Sequence, residues 1–528
     1  MNIKNLNDLV DDAALEAGDK TAYATAEESI TYGEFRRRVL ATAAGFAAAG
    51  VKKGDCVAIV HRNSIVFVQA YLGLNRIGAI AVPINFMVQK ADELAYMLND
   101  CRAVGIVTQR EFLKGLRGAA AKTPSLTRLW VSDAAQDECK DKEQPFSAVS
   151  SAGFDPDRTA IGVELDEQDT ASILYTSGTT GNPKGVMLTH HNFITNCEAT
   201  LKKVGLKSSD VGLCILPMFH SFAWTGKVLI CLRLKAKLVI APAIAPAKPW
   251  LKLMARHGVT LFAAVPQIYS VLTKQCCGLQ GFFLRWLFFR KVRMAISGAA
   301  PLSPAVQKDF EKTFGIPILE GYGLTETSPV MTINALDQRR VGSVGTTIDG
   351  VQVKIVDDAE RELALGGEGE ICVRGDCVMK GYYNLPEATR EAFTKDGWLK
   401  TGDIGALDSD GFLFIRDRKK DMIIIKGLKV FSAQVEAVLL EHPAVEEAAI
   451  IGIPDEHGDE TIKAFVVLKK GADADKAALM KFCRAKFDGY KRPRDLEIVD
   501  ALPKNALQKV LKRALRQQEL QKKAAGAA

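Results

Sequence analysis

The chain has no uninterrupted apolar run long enough to span a bilayer, and residues 1–20 are polar and mixed in charge. Neither a membrane-spanning helix nor a secretory leader is therefore expected. The 11 cysteines are scattered, with Cys276-Cys277 the one adjacent pair. Without a C-x-x-C spacing there is no candidate zinc site, and an odd count argues against a disulfide framework. Buried reduced thiols in a cytosolic protein are the expectation. A G-x-x-x-x-G-K-[ST] spacing is also missing, which excludes a Walker A loop. What is present is ordinary for a globular protein: 48% hydrophobic and 25% charged residues. The net charge of +7 suits an anionic ligand or a membrane surface, and solvated lysines account for it equally well. Nucleic acid is not an expected partner. At 528 residues the chain exceeds what one core supports, so at least two domains are expected.

Strand-like and helix-like patterns alternate through the first part. An Arg/Ala-rich helix over 34–49 is followed by a strand over 56–60, a helix over 64–76 ending at Gly78, and a strand over 80–83. Further strands are read at 106–109, 213–216, 236–240, 261–265 and 294–297. This alternation predicts an α/β fold of doubly wound sheets. After about Gly350 the texture turns to short strands with Gly and Asp turns (351–355, 369–373), a small β-rich subdomain. The charge cluster Arg416-Asp-Arg-Lys-Lys-Asp421 follows the apolar 412–415. Beyond it come a helix over 433–441, strands over 448–453 and 462–468, and a basic helix over 506–522. The expected domains are 1–417 and a small mobile α+β domain over 418–528.

The most informative segment is Tyr175-Thr-Ser-Gly-Thr-Thr-Gly-Asn-Pro-Lys-Gly185, directly after the apolar Ala171-Ser-Ile-Leu. Glycines let backbone N–H groups approach an anion, while four hydroxyls and Lys184 add donors, so the chemistry is that of a polyphosphate cradle. A flexible Gly/Thr surface turn is the plainer alternative. Glu320-Gly-Tyr-Gly-Leu-Thr-Glu-Thr-Ser328 offers an aromatic face for a purine, a hydroxyl for phosphate and a carboxylate that can reach Mg²⁺ through water. In Trp398-Leu-Lys-Thr-Gly-Asp403 a carboxylate after a tight turn can take two ribose hydroxyls, although Asp after Gly is commonly a turn residue. Arg418 lies in the charge cluster, and such clusters are commonly solvated faces.

Taken in order, these motifs resemble those of the acyl-adenylate-forming superfamily, over about 7–516. The resemblance also rests on Leu216-Pro-Met-Phe-His-Ser-Phe222, Ser297-Gly-Ala-Ala-Pro301, Arg418-Lys-Lys-Asp421 and Pro503-Lys-Asn-Ala-Leu-Gln-Lys509. It implies that the loop Thr176, Ser177, Gly178, Thr179, Thr180, Gly181 and Lys184 folds over the β- and γ-phosphates of ATP. Gly298, Ala299 and Ala300, with Gly321, Tyr322 and Gly323, border adenine, with Glu320 near its amino edge. Thr325 contacts phosphate and Glu326 the Mg²⁺ ion, while Asp403 and Arg418 bind ribose. His220 lies beside the acyl carboxylate, and Lys509 is the catalytic lysine of the C-terminal domain. Lys420 is the hinge, and the Gly427 region approaches the thiol of coenzyme A. Two departures are visible: Gln508 stands where Gly usually precedes the lysine, and Ile423-Ile-Ile-Lys-Gly427 carries isoleucine where many relatives are polar.

The implied reaction is in-line attack of a carboxylate on the α-phosphorus of ATP, followed by thiolysis of the acyl-adenylate. That makes the expected activity an AMP-forming acid:CoA ligase. Phe219, Phe222 and Trp224 around His220 favour an apolar acid, a medium- or long-chain fatty acid first and an aryl or alicyclic acid second. A stand-alone module loading an acyl carrier protein in trans is the alternative enzyme, and a nucleotide-binding sensor the non-enzymatic one. Gly281-Phe-Phe-Leu-Arg-Trp-Leu-Phe-Phe-Arg-Lys291 interleaves aromatics with arginine. Two readings stand for it: an interfacial helix on the inner face of a membrane, or a helix packed on the core with its arginines snorkelling outward. A homodimer is compatible with all of this.

Overall fold

The structure is a computed structural model, and it describes residues 3–150, 163–176, 182–276, 281, 283–425, 428–454, 460–487, 489–504 and 510–526. Two compact units are formed, one from Met1–Gln352 with Val373–Leu399, the other from Val353–Cys372 with Lys400–Ala528.

The first unit is built on two large sheets. One has eight strands, in the order Gly381–Tyr382, Lys184–Thr189, Thr170–Thr176, Ile80–Pro83, Cys56–Val60, Gly105–Thr108, Arg128–Val131 and Glu143–Pro145. The strands from Thr170–Thr176 through Glu143–Pro145 pair in parallel, and Cys56–Val60 is buried along its whole length. A near-continuous apolar run is what a strand covered on both faces requires. Each such aliphatic side chain contributes roughly 1.5–3 kcal/mol by leaving water. The crossover helices start where the sequence supplies caps. Ser64 accepts from Phe67 N–H ahead of Ile65–Arg76, and Thr31 from Glu34 N–H ahead of Tyr32–Ala48. The other sheet has nine strands, and Val211–Cys214, Leu261–Ala264, Met294–Ser297 and Ile318–Gly323 form its parallel centre. The α/β expectation holds.

The second unit carries most of a four-stranded sheet, in the order Val351–Val356, Gly369–Gly375, Leu399–Leu407 and Leu413–Arg418. It also carries the hairpin Ile423–Ile425/Leu428–Val430 and a three-stranded sheet of Val445–Pro454, Glu460–Leu468 and Asp495–Ile498. The final helix is shorter at its start than the basic pattern suggests. Val510 bridges to Lys504 and Leu511 donates to Pro503 O, so the backbone is extended there and the helix begins at Lys512.

Candidate functional site

The cradle segment is a β-hairpin. Thr170–Thr176 pairs antiparallel with Lys184–Thr189, placing Thr176 opposite Lys184 and Tyr175 opposite Gly185. Gly185 admits no side chain, since a Cβ there would sit 2.7 Å from Ile173 Cγ2. The Tyr175 hydroxyl donates to Asp100 Oδ2 at 2.6 Å. These contacts hold the hairpin base; Ser177, Gly178, Thr179, Thr180 and Gly181 lie outside the described residues.

Beyond the hairpin a capping box starts the helix His190–Val204, with Thr189 and Asn192 exchanging side-chain and backbone bonds. The Asn192 amide also donates to Asp376 O at 2.7 Å and Val378 O at 3.0 Å. Gly381–Tyr382 is thereby led into register against the hairpin, opposite Met187 and Val186. Lys184 Nζ then lies 4.9 Å from the centroid of the Tyr382 ring. The Tyr382 hydroxyl donates to Glu326 Oε1 at 3.0 Å, and Met379 N–H donates to Glu326 O at 2.8 Å. Burial, reinforced by the charge of Glu326, pushes the Tyr382 hydroxyl well above its ordinary value. Lys184 and Glu326, 142 positions apart in the chain, thus meet on one ring. Tyr382 was not expected from sequence, and the one signal for it is Gly381-Tyr382 just ahead of the Asn384-Leu-Pro386 turn.

Glu326 sits in a single 3₁₀ turn, Thr325–Thr327, that follows the strand Ile318–Gly323. Gly323 at its end is required, because a Cβ would lie 1.7 Å from Pro329 O. On the same strand Glu320 stands opposite Ser297 in parallel pairing, and the Gly298-Ala299-Ala300 turn leaves the neighbouring strand there. Ala299 has φ +68°, a left-handed conformation that costs a non-glycine residue roughly 1–3 kcal/mol. Glu320 is buried and accepts Leu302 N–H at 3.0 Å; burial pushes its carboxyl up to about 8. The buried Ser297 hydroxyl has no hydrogen-bond partner among the described residues. Tyr322 is half-buried, with Gly321 before it packed on Ile333 and Thr332.

His220 donates its N–H to Pro217 O and opens a short helical turn, its carbonyl accepting from Ala223 and Trp224. Its ring lies 5.8 Å from that of Phe219, which is edge-on to Phe86 at 5.5 Å. The Phe222 ring comes within 3.6 Å of where a Cβ on Gly298 would be. The histidine motif and the Gly298–Ala300 turn are therefore neighbours.

In the second unit Asp403 and Arg418 are cross-strand partners, with Arg418 Nε 3.6 Å from Asp403 Oδ1. Gly402 (φ +71°) lies within the strand Leu399–Leu407, so Asp403 stands in a strand and not after the expected tight turn, and Thr401 Oγ1 accepts Asp403 N–H at 3.1 Å. Lys419 donates its backbone N–H to Gly402 O and its ammonium to Glu370 at 2.7 Å. Desolvation lowers the ammonium of Lys420, and Arg418 beside it adds to this. Gly427 and Lys509 lie outside the described residues. Among the described residues no cluster of three His, Cys, Asp or Glu side chains could hold a metal, and no helix is long and apolar enough to cross a membrane.

By the family models and relatives that match it, the chain is an adenylate-forming enzyme, an AMP-forming acid–CoA ligase. The chain belongs to the AMP-binding enzyme family: that family's model matches residues 10–383, and the AMP-binding enzyme C-terminal domain matches 434–509. It is similar to a long-chain-fatty-acid–CoA ligase of Bacillus subtilis (strain 168), 36% identical, over 98% of this chain and 95% of that relative. Among solved structures it resembles the anthranilate CoA ligase AuaEII in complex with anthranoyl-AMP, at TM-score 0.89 and 27% identity over 99% and 98% of the two chains. It also resembles ATP-bound MatB from Rhodopseudomonas palustris, at TM-score 0.86 and 30% identity over 97% and 99%.

Proposed function

We propose that this ligase activates a medium- or long-chain fatty acid, in two steps, through an acyl-adenylate. The carrying observation is the meeting of Lys184, Tyr382 and Glu326 at the base of the hairpin, with the ring-lined His220 turn beside Gly298. The fatty-acid preference is supported by Phe219, Phe222 and Trp224 around His220 and by the fatty-acid ligases among the relatives.

In the first step a carboxylate oxygen of the acid bonds to the α-phosphorus of ATP while the bond to the bridging oxygen breaks, and pyrophosphate leaves. No covalent enzyme intermediate is needed, so positioning and charge neutralisation carry the catalysis. The segment Thr176 to Lys184, including Ser177, Gly178, Thr179, Thr180 and Gly181, holds the departing phosphates. Gly298, Ala299, Ala300, Gly321, Tyr322 and Gly323 border the adenine, and Glu320 faces its amino edge. Asp403 and Arg418 hold the ribose hydroxyls, and Thr325 holds a phosphate oxygen. His220 orients the acyl carboxylate. Mg²⁺ usually keeps several waters and takes one or two carboxylates plus substrate phosphates, so the lone carboxylate of Glu326 fits it as a donor. When bound, the ion neutralises charge on the phosphates.

Lys509 neutralises the charge that shifts in the first transition state. The 418–528 segment then turns about Lys420, a hinge motion that withdraws Lys509 and brings the Gly427 region to the thiol of coenzyme A. The thiolate bonds to the acyl carbon and AMP leaves. A cytoplasmic location with peripheral membrane contact through 281–291 is supported by Phe283, Trp286 and Leu287, each roughly half exposed beside Arg285 and Arg290.

The test supplies ATP, Mg²⁺ and a panel of alkyl and aryl acids, with coenzyme A or an acyl carrier protein as acceptor. Release of AMP with fatty acids and coenzyme A is expected. Acyl-AMP without acyl-CoA points to carrier loading, a preference for aryl acids replaces the fatty-acid reading, and no acyl-AMP with any acid ends the enzymatic one. Lys509→Ala should slow adenylation by a factor of about 10² or more while thioester formation from supplied acyl-AMP persists; equal loss of both steps removes Lys509 from the role.

A further inference from the structure

Charge is placed unevenly along this chain. The segment 211–308 holds 13 of the 69 Lys and Arg side chains and none of the 62 Asp and Glu, so the rest of the chain is net negative while the whole carries +7. Some of those cations are matched by acids from elsewhere in the first unit: Arg233 by Glu198, Lys235 by Asp12 and Glu16, and Arg293 by Asp210. Lys248, Lys252, Arg256, Arg290 and Lys291 are exposed, and among the described residues no Asp or Glu forms an ion pair with them. The first three recur every four residues and so share one face of the helix Ala247–His257, opposite its buried Trp250, Leu253 and Met254. Lys291 lies over Gly258 at the end of that helix, its Nζ 3.1 Å from where a Cβ on the glycine would be. Burial, with Lys291 adding to it, holds the Lys237 ammonium below its ordinary value. Like charges gathered with no acid between them repel one another, and an anionic partner relieves that repulsion.

The same part of the unit exposes apolar surface. In the π-helical turn Arg285–Phe289 the one buried side chain is Phe289, its ring 5.4 Å from that of Phe262 and 4.9 Å from that of Phe314. This anchors the turn against the helix Ala247–His257 and leaves Phe283, Trp286 and Leu287 57%, 57% and 46% exposed. Among the described residues Phe283 and Trp286 are the only exposed Phe and Trp side chains. Clustered exposed apolar side chains mark an interaction site. Aromatics interleaved with cations suit the headgroup boundary of a bilayer, where the rings leave water and the cations meet lipid phosphates.

We propose that this face docks on a bilayer containing anionic phospholipid, with Trp286 and Leu287 entering the headgroup boundary while Lys248, Lys252, Arg256, Arg290 and Lys291 meet the lipid phosphates. This rests on the peripheral-contact reading of 281–291 and adds to it the charge of the lipid and a second element, the helix Ala247–His257. The docking face is separate from the nucleotide site. Met294–Ser297 runs from the docking segment into the Gly298 turn, so the two lie at opposite ends of one strand.

The experiment sediments the full chain, without nucleotide or acid, with vesicles of phosphatidylcholine alone or with about 30% phosphatidylglycerol. Binding should be about tenfold or more tighter on the anionic vesicles, and should fall steeply between about 0.05 and 0.5 M salt as the Debye length shortens. Trp286→Ser with Leu287→Ser, and separately Lys252→Glu with Arg290→Glu, should each weaken that binding about tenfold or more, with kcat/KM for a short, water-soluble acid unchanged. Equal binding to both kinds of vesicle ends the anionic-lipid inference and leaves the peripheral-contact reading standing; no binding to either ends both. Undiminished binding by both double variants places the docking face elsewhere and overturns the inference. Capture by an acidic acyl carrier protein without vesicle binding replaces the bilayer with a protein partner. If the variants do not fold, the wild-type comparison of the two vesicles across salt decides alone. The readout needs no turnover, so failure of the ligase reading leaves it intact.

Discussion

Glu320 and Glu326 are six residues apart on one strand and the turn that follows it, yet the fold treats their carboxyls in opposite ways. Glu320 is buried on a strand between a parallel and an antiparallel neighbour, accepts one backbone N–H, and burial pushes it up to about 8. Glu326 is half-buried and takes a hydroxyl bond from Tyr382, which also carries the ring beneath Lys184. The lesson is that residue type does not set the role of a carboxyl; the number of donors and the depth of burial do. Under the proposed function, Glu320 is a wall for the base and Glu326 a carboxylate donor to Mg²⁺.

The comparison can be broken most severely at Glu326. Glu326→Gln keeps the shape and removes the charge, so Mg²⁺-dependent adenylation should fall by a factor of about 10²–10³. A loss below tenfold, measured as acyl-AMP formed in a single turnover, returns Glu326 to a structural role. Glu320 gives the next largest effect, on stability. Its carboxyl is raised on folding, so its contribution is fully present below pH 4.5 and is lost as pH rises from there through about 8. The span is on the order of 5 kcal/mol. Denaturant midpoints taken across that window should fall for the wild type and stay flatter for Glu320→Gln; parallel curves contradict the neutral-wall reading.

Smaller effects sharpen the contrast on the open side. Lys184→Met removes the cation proposed to hold the leaving phosphates, and kcat/KM for ATP should drop about tenfold, with the KM for the acid unchanged. A shift in the acid's KM alone would move Lys184 away from the nucleotide. Tyr382→Phe keeps the ring under Lys184 and deletes one hydrogen bond, worth about 1 kcal/mol. A change of a few-fold in the apparent Mg²⁺ requirement is expected, and no change at all would mean that the hydroxyl does not orient Glu326.

Much of the site could be read from local chemistry. The glycine, hydroxyl and lysine content of 175–185 suggests an anion cradle, of which the structure describes only the paired base, Thr176 opposite Lys184. The resemblance points to both Asp403 and Arg418, and the structure makes them cross-strand neighbours. Two things were not legible. Tyr382 gains its place only because Asn192 ties 376–378 to the helix after the hairpin, a contact across 184 positions. The start of the last helix was misplaced because basic, helix-favouring residues continue through a stretch where Val510 is bridged to Lys504.

The sequence by itself determined the alternation of buried strands and capped helices, the order of the nucleotide motifs and hence the family, since periodicity, caps and loop composition are properties of neighbours along the chain. Only the tertiary structure decided that burial raises the Glu320 carboxyl and that Lys184 and Glu326 share one tyrosine. Those outcomes depend on dielectric surroundings and on which distant backbone arrives beside a side chain, and neither is written in the residues on either side of it.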